Sequence, residues 1–520
     1  MRYPKLKETA CTRRTVDIFR GYNRGAVIGP GEFADMENLT SDAYPVLSVR
    51  PGRSFYRRPA SPQGLTAGDV LCYVDGRDFV AGDTVVPMEL SVEEADCPKD
   101  LVSMGAYVII LPDKKYINTQ NLEDFGNIEA VFTAEGATVE ADTEAGFCRI
   151  CAAGIGKAFR PGDAVTLEGL AILDGTVTIR DCGDDHLLVP GEAEAAVTGS
   201  VRISRRMPRL DFAVECGNRL WGCRYGPDEQ GSFVNEIYAS ALGDFKNWYR
   251  FDGLSTDSYA ASCGSDGPFT GAAVYLGAPL FFKENGVHKV YGSYPAAFRI
   301  QYTACRGVES GCGRSLALVH ETLFYKSRSG ICAYDGSLPV CVSEALGKDA
   351  FSDAVAGSVD GKYYVSMKDG AGAYHLFVFD TGRGLWHRED GFHASSFCTH
   401  RGRLYAVDAE SRDIFCMTGG TEPVRWMART GDLGLSEQGS KYVSRLAVRL
   451  ALQRGAQVVI SVSYDREDRW EPLCKVFGTR LRSVTVPLRL RRCDTFRLRF
   501  EGEGQAWVYA VTEFLHPEQV

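Results

Sequence analysis

Apolar and aromatic residues recur along this chain in short runs, each introduced by a small turn and followed about ten residues later by a second run. Gly277-Ala278-Pro279-Leu280-Phe281-Phe282 precedes His288 to Gly292, and Glu321 to Tyr325 precedes Gly330 to Gly336. Gly361 to Val365 precedes Leu376 to Asp380, and Gly402 to Ala406 precedes Asp413 to Cys416. The anchors Leu280, Leu323, Tyr363 and Leu404 lie 40 to 43 residues apart, the spacing of four-stranded propeller blades. An earlier copy starts at Gly217 to Gly222, and another pairs Gly105–Ile110 with Lys115–Ile117. Apolar spacing of the helical kind is sparse. The pattern predicts an all-β chain built on a β-propeller of about six blades, with five or seven as the neighbouring counts. Radial stacking lets each blade cover its neighbour and protects most strand edges.

The periodicity also divides the chain. Residues 1–54 show none of it and read as an extended N-terminal arm, and residues 55–125 read as the first blade. Residues 126–204 are rich in Ala, Gly, Glu and Asp, with short alternating runs, and read as a small inserted β-domain. Residues 205–432 carry the remaining blades. In 433–520 clean alternation at Val443–Leu450, Val458–Tyr464 and Phe496–Phe500 predicts half-buried antiparallel strands forming a C-terminal β-sandwich.

Composition changes this picture little. Fifty-six glycines and 11% aromatic residues suit short strands and tight turns, and a net charge of −9 argues against a protein that wraps nucleic acid. Neither a secretory signal nor a bilayer-spanning run is expected, which points to synthesis in a cytoplasm with no membrane partner. The 17 cysteines show no framework spacing, so Cys72, Cys332 and Cys416 read as small buried hydrophobes.

Candidate chemistry is thin. Cys148-x-x-Cys151 followed by Cys182 and His186 supplies four ligands of the type that hold tetrahedral zinc. Cys148 nevertheless sits in an apolar run, so a reduced β-core with no cofactor is the default. Asp335, Asp380 and Asp408 are the acids to weigh for glycoside hydrolysis, but they fall where hairpin turns belong. His387 follows Trp386 at a strand end and reads as a stacking or turn-satisfying group. Gly154-Ile155-Gly156-Lys157 lacks the rest of a phosphate loop. The basic run Arg489, Arg491 and Arg492 with Arg497 and Arg499 is the main surface signal. Alternation puts Arg489 with Arg491, and Arg497 with Arg499, on shared faces. A solvated strand face is the plainer reading, and contact with DNA or an acidic neighbour is the functional one.

Several ordered segments carry a resemblance. They are Phe19–Asn23, Gly31–Leu39, Tyr44–Arg50, Asn235–Asp244 with Asn247-Trp248, Gly382–Asp390 and Pro487–Arg499. Together they resemble tail-region virion proteins of phages and prophages. The architecture is similar to the propeller-containing nozzle and DNA-stabilisation proteins of short-tailed phages. The resemblance implies a non-enzymatic structural subunit of a tail or neck. It would form a homo-oligomeric ring, meet other tail, neck or portal-associated proteins, retain or conduct packaged DNA, and reside in the virion. The runner-up is a carbohydrate-binding or glycoside-cleaving propeller used in receptor recognition.

Overall fold

A computed structural model describes residues 11–92, 99–142, 146–170, 173–192, 195–228, 230–435, 439–488 and 491–517. Regular structure in them is β-strand with a few 3-10 turns. The chain divides into two compact units. One comprises Met1–Pro59, Ala317–Asp335 and Val340–Val520, and the other Ala60–Leu316 with Gly336–Pro339.

Seven four-stranded antiparallel sheets form a seven-bladed propeller. Blade 1 spans residues 62–87, blade 2 spans 100–127, blade 3 spans 212–262 and blade 4 spans 269–304. Blade 5 spans 317–341 and blade 6 spans 351–388. Blade 7 takes three strands from 394–420 and its fourth, Gly52–Arg57, from the start of the chain. The count is therefore seven, the upper neighbour of the expected six. In place of one blade over 55–125 stand two complete four-stranded blades, at 62–87 and 100–127.

The turn before three of the anchors has a physical reason. Leu276-Gly277, Asp360-Gly361 and Arg401-Gly402 have φ values of 48/72°, 51/71° and 48/72°. Two consecutive positive φ angles make the turn whose twist matches a β-hairpin. The following anchors Leu280, Tyr363 and Leu404 are wholly buried. Cys72, Cys332 and Cys416 are likewise buried in their strands, as small hydrophobes would be.

Residues 130–205 form a seven-stranded sheet of their own, with a core that includes Val139, Ile150, Phe159, Val165, Leu187 and Ile203. The C-terminal strands take the form of one eleven-stranded, nearly closed sheet rather than a separate sandwich of 433–520. Arm strands Thr12–Val16, Gly21–Tyr22, Glu32–Glu37, Leu39–Thr40 and Leu47–Val49 belong to the same sheet. Its spine is Lys441–Tyr464, paired with Ala506–Pro517 over its first half and with Phe496–Glu503 over its second. Leu446, Val448, Leu450, Val458, Ile460 and Val462 point alternately into its core. No helix of the described residues is long and apolar enough to cross a membrane.

Candidate assembly surface

The spine strand Lys441–Tyr464 continues through a tight loop into Glu471–Val486, which pairs, among the described residues, with the spine alone. Its other edge is open along sixteen residues. Such edges are ready templates for a partner, and charged side chains are the usual guard against unwanted pairing. Arg445, Arg449 and Arg454 on one strand and Lys475, Arg480 and Arg482 on the other are exposed. Phe477 and Leu481 stand among them at 61% and 47% exposure. Lys475 Nζ lies 5.1 Å from the Phe477 ring centre.

Charge on this chain is segregated. Residues 441–499 contain fourteen Lys and Arg against five Asp and Glu, a formal +9 within a chain of −9. Residues 126–204 contain thirteen Asp and Glu against five Lys and Arg, a formal −8. Glu135, Glu140, Asp174, Asp181, Asp184 and Asp185 are exposed on that inserted sheet.

The arginines singled out in the sequence lie beside the hairpin, and most are held by nearby acids. Arg489 falls outside the described residues. Arg491 donates to Glu467 Oε1 at 2.6 Å and lies 5.2 Å from the Tyr464 ring centre. Arg492 belongs to a two-residue strand paired with Lys441 and Tyr442. Arg497 and Arg499 do share a face, and both lie over Trp470, at 5.9 and 4.6 Å. Arg497 pairs with Asp468 at 2.8 Å, and Arg499 with Glu501 at 3.0 Å. The exposed cations that sequence reasoning missed, Arg449, Arg480 and Arg482, have no ion pair among the described residues. Their signal was the excess of basic residues across the whole segment rather than a local run.

The four zinc candidates do not converge. Cys148 and Cys151 are three residues apart on one strand, Phe147–Cys151, and odd spacing sends side chains to opposite faces. Cys148 is wholly buried in the core of the insert, and burial raises its thiol pKa. Cys151 stands opposite His186, whereas Cys182 stands opposite Leu187 with its Sγ 3.7 Å from the Phe159 carbonyl. Among the described residues no group of three or more His, Cys, Asp or Glu is placed to hold a metal. Ile155–Lys157, the candidate glycine-loop segment, is a single 3-10 turn.

The carboxylates weighed for hydrolysis serve turns. Asp380 accepts from Ser41 Oγ at 2.6 Å and from Arg383 N and Nη1 at 3.1 Å each. Burial raises its pKa, but these bonds and the Arg383 charge outweigh burial and hold it below the usual value. Asp408 accepts from Ser411 Oγ at 2.7 Å. Asp335 lies exposed in the bend after Gly330–Tyr334. His387 is buried, and desolvation, with the Lys362 charge, lowers its pKa to about 4. The imidazole is neutral at physiological pH.

No family model matches this chain, and no curated protein matches it. Solved structures do. The phage phi92 endosialidase aligns over 72% of this chain and 63% of its own length, at 12% identity and a TM-score of 0.24. The β-propeller domain of the Trilobed protease from Pyrococcus furiosus aligns over 62% and 94%, at 9% identity and a TM-score of 0.29. An exo-β-1,3-galactanase from Phanerochaete chrysosporium aligns over 58% and 94%, at 11% identity and a TM-score of 0.21. Likeness at this level says nothing of activity.

Proposed function

We propose that the chain is a non-enzymatic structural subunit of a phage tail or neck, assembling into a ring that helps retain or conduct packaged DNA. The observation that carries this reading is charge segregation. One end of the chain presents a basic, open-edged hairpin, and the insert presents an acidic face. Two different, complementary patches favour a heterologous contact, in which each copy docks on the next, and such contacts close into rings. The resemblance of the arm, blade 6 and C-terminal segments to tail-region proteins supplies the virion setting. The basic hairpin also suits the sugar-phosphate backbone, whose recognition is electrostatic and independent of sequence. The engagement of Asp380 and Asp408 in turns fits a propeller that works by shape.

Light scattering and negative-stain microscopy at low and high salt test this. The expected result is rings at 50 mM salt that dissociate at 500 mM, because exposed charges are screened beyond a few ångströms. The triple variant Arg449→Glu, Arg480→Glu, Arg482→Glu remains folded but monomeric. A salt-independent monomer that cleaves a glycan rejects the proposal in favour of a carbohydrate-active propeller.

A further inference from the structure

The eleven-stranded sheet encloses a cavity of about 490 Å³, within the range of pockets that hold small organic molecules. Its walls are mainly apolar and come from both ends of the chain. Val16, Phe19 and Phe33 belong to the arm, and Leu498, Phe500 and Val511 to the C-terminal strands. Val511 stands directly across the ladder from Val16.

Four charged side chains reach this space: Arg14, Glu32, Asp432 and Glu513. Glu32 is committed, because its Oε2 accepts from Gly29 N at 2.6 Å and Asn23 Nδ2 at 2.7 Å. Asp432 is committed to Arg466 at 2.5 Å. Glu513 differs. It is 8% exposed, and its Oε2 is buried without a hydrogen-bond partner. It sits on the ladder opposite Arg14 on one side and Leu446 on the other. Alternation places Val511 and Glu513 on the same cavity-facing side of their strand.

Buried polar atoms nearly always find partners, and one left without a partner lowers stability. A lone acceptor in a roomy apolar chamber is the arrangement that fixes the orientation of an apolar ligand. Arg14 faces the same carboxyl, so a second cation would meet a like charge there. A neutral donor would not.

We propose that this cavity binds a small apolar molecule bearing one uncharged hydrogen-bond donor, an aromatic amine or a hydroxyl, which meets Glu513 Oε2. The inference is independent of ring assembly, because every wall of the chamber comes from one chain. The ligand body fills the space between the arm and the C-terminal strands, and its head group completes the glutamate. Burial raises the Glu513 pKa to about 7, with the Arg14 charge opposing the rise, so the side chain accepts most strongly in mildly alkaline solution.

The test uses the full chain and 1-aminoanthracene, an uncharged apolar amine whose fluorescence rises in dry surroundings. Its counterpart, 1-anthroate, has the same body and an anionic head. At pH 8 the amine is expected to bind saturably at one site per chain, and the anthroate at least tenfold more weakly. Glu513→Leu weakens the amine at least tenfold, and Val511→Trp, which fills the chamber, abolishes binding. Circular dichroism and thermal unfolding confirm that both variants are folded, and Glu513→Met replaces the first if it is not. No saturable binding by the unmodified chain overturns the proposal. So does equal affinity for the two probes, or a loss of binding in one variant without the other.

Discussion

Arg53 grips Asp390 with both arms of its guanidinium, Nη1 to Oδ2 at 2.8 Å and Nη2 to Oδ1 at 2.7 Å. Arg53 is the second residue of the closing strand of blade 7, and Asp390 lies two residues past the last strand of blade 6. Arg50 joins them, reaching Asp390 Oδ2 at 3.1 Å and Glu389 Oε2 at 3.2 Å, and Asn38 Oδ1 accepts from Arg50 Nε at 2.8 Å. The Arg53 guanidinium also lies 4.5 Å from the Phe392 ring centre. Removing one partner of a buried network leaves the other charges unmatched and costs about 3–5 kcal/mol. Asp390→Ala is therefore expected to lower the unfolding free energy of this unit by that much, read as a lower denaturant midpoint at an unchanged m-value. A loss below 1 kcal/mol would mean that solvent already screens the cluster.

The pH dependence of Glu513 has a definite sign. Its folded pKa of about 7 lies above the usual carboxylate value, so between pH 4.5 and 7 the folded chain holds a proton that the unfolded chain has released. Stability on this account is highest in acid and falls as pH rises through that window, by about 3 kcal/mol in total. Glu513→Gln should remove the slope and be the more stable protein at pH 8. Thermal melts of the two proteins from pH 4 to 8 measure the difference.

His387 works in the opposite direction. Burial keeps it neutral, with a pKa of about 4 against 6.5 when exposed, so unfolding binds a proton between these values. Its contribution is fully present above pH 6.5 and is lost as pH falls towards 4, by about 3 kcal/mol. The pH profile of His387→Gln, subtracted from that of the unmodified chain, is expected to isolate this loss. Lys362, Asp380 and Asp42 also act on this histidine, and the subtraction leaves their other interactions in place.

The turn before the blade 4 anchor supplies a conformational test. Leu276 is held at φ 48° while 72% exposed, and Gly277 follows at φ 72° with no atom near its absent Cβ. A side chain in the left-handed region costs about 1–2 kcal/mol, and glycine escapes that cost. Gly277→Ala is expected to destabilise by about 1 kcal/mol. Leu276→Gly should stabilise by up to about 1 kcal/mol despite losing a hydrophobic side chain. Equilibrium unfolding of the two variants checks both signs.

The propeller was readable because its anchors and turns are local features. Leu280, Leu323, Tyr363 and Leu404 each follow a tight turn within a few residues, and each is buried. Blade 1 escaped because its first hairpin turns through three residues, 68–70, without the positive-φ pair that precedes Leu280, Tyr363 and Leu404. The closing role of Gly52–Arg57 was out of reach, since its partners lie some 360 residues downstream, and no periodicity links the two. The arm read as extended for the same reason: Thr12–Val16, Glu32–Glu37 and Leu47–Val49 pair with the far end of the chain. The resembling segments around Arg50 and Asp390 now have a shared physical basis, because they meet in one buried ionic cluster. The Arg491–Arg499 run looked like an open basic face. The acids that neutralise much of it, Glu467 and Asp468, sit in a loop whose fold no spacing rule reveals.

Completion of blade 7 by the strand at 52–57 sets an order on the birth of the molecule. At translation rates of 5–20 residues per second, that strand leaves the ribosome roughly 20 to 70 s before the strand at 414–420 exists to receive it. Through that interval a row of backbone donors and acceptors, flanked by the exposed Phe55 and Tyr56, has no native partner. A nascent neighbour on the same messenger could capture it, so the pairing that completes blade 7 makes crowded synthesis its most hazardous moment.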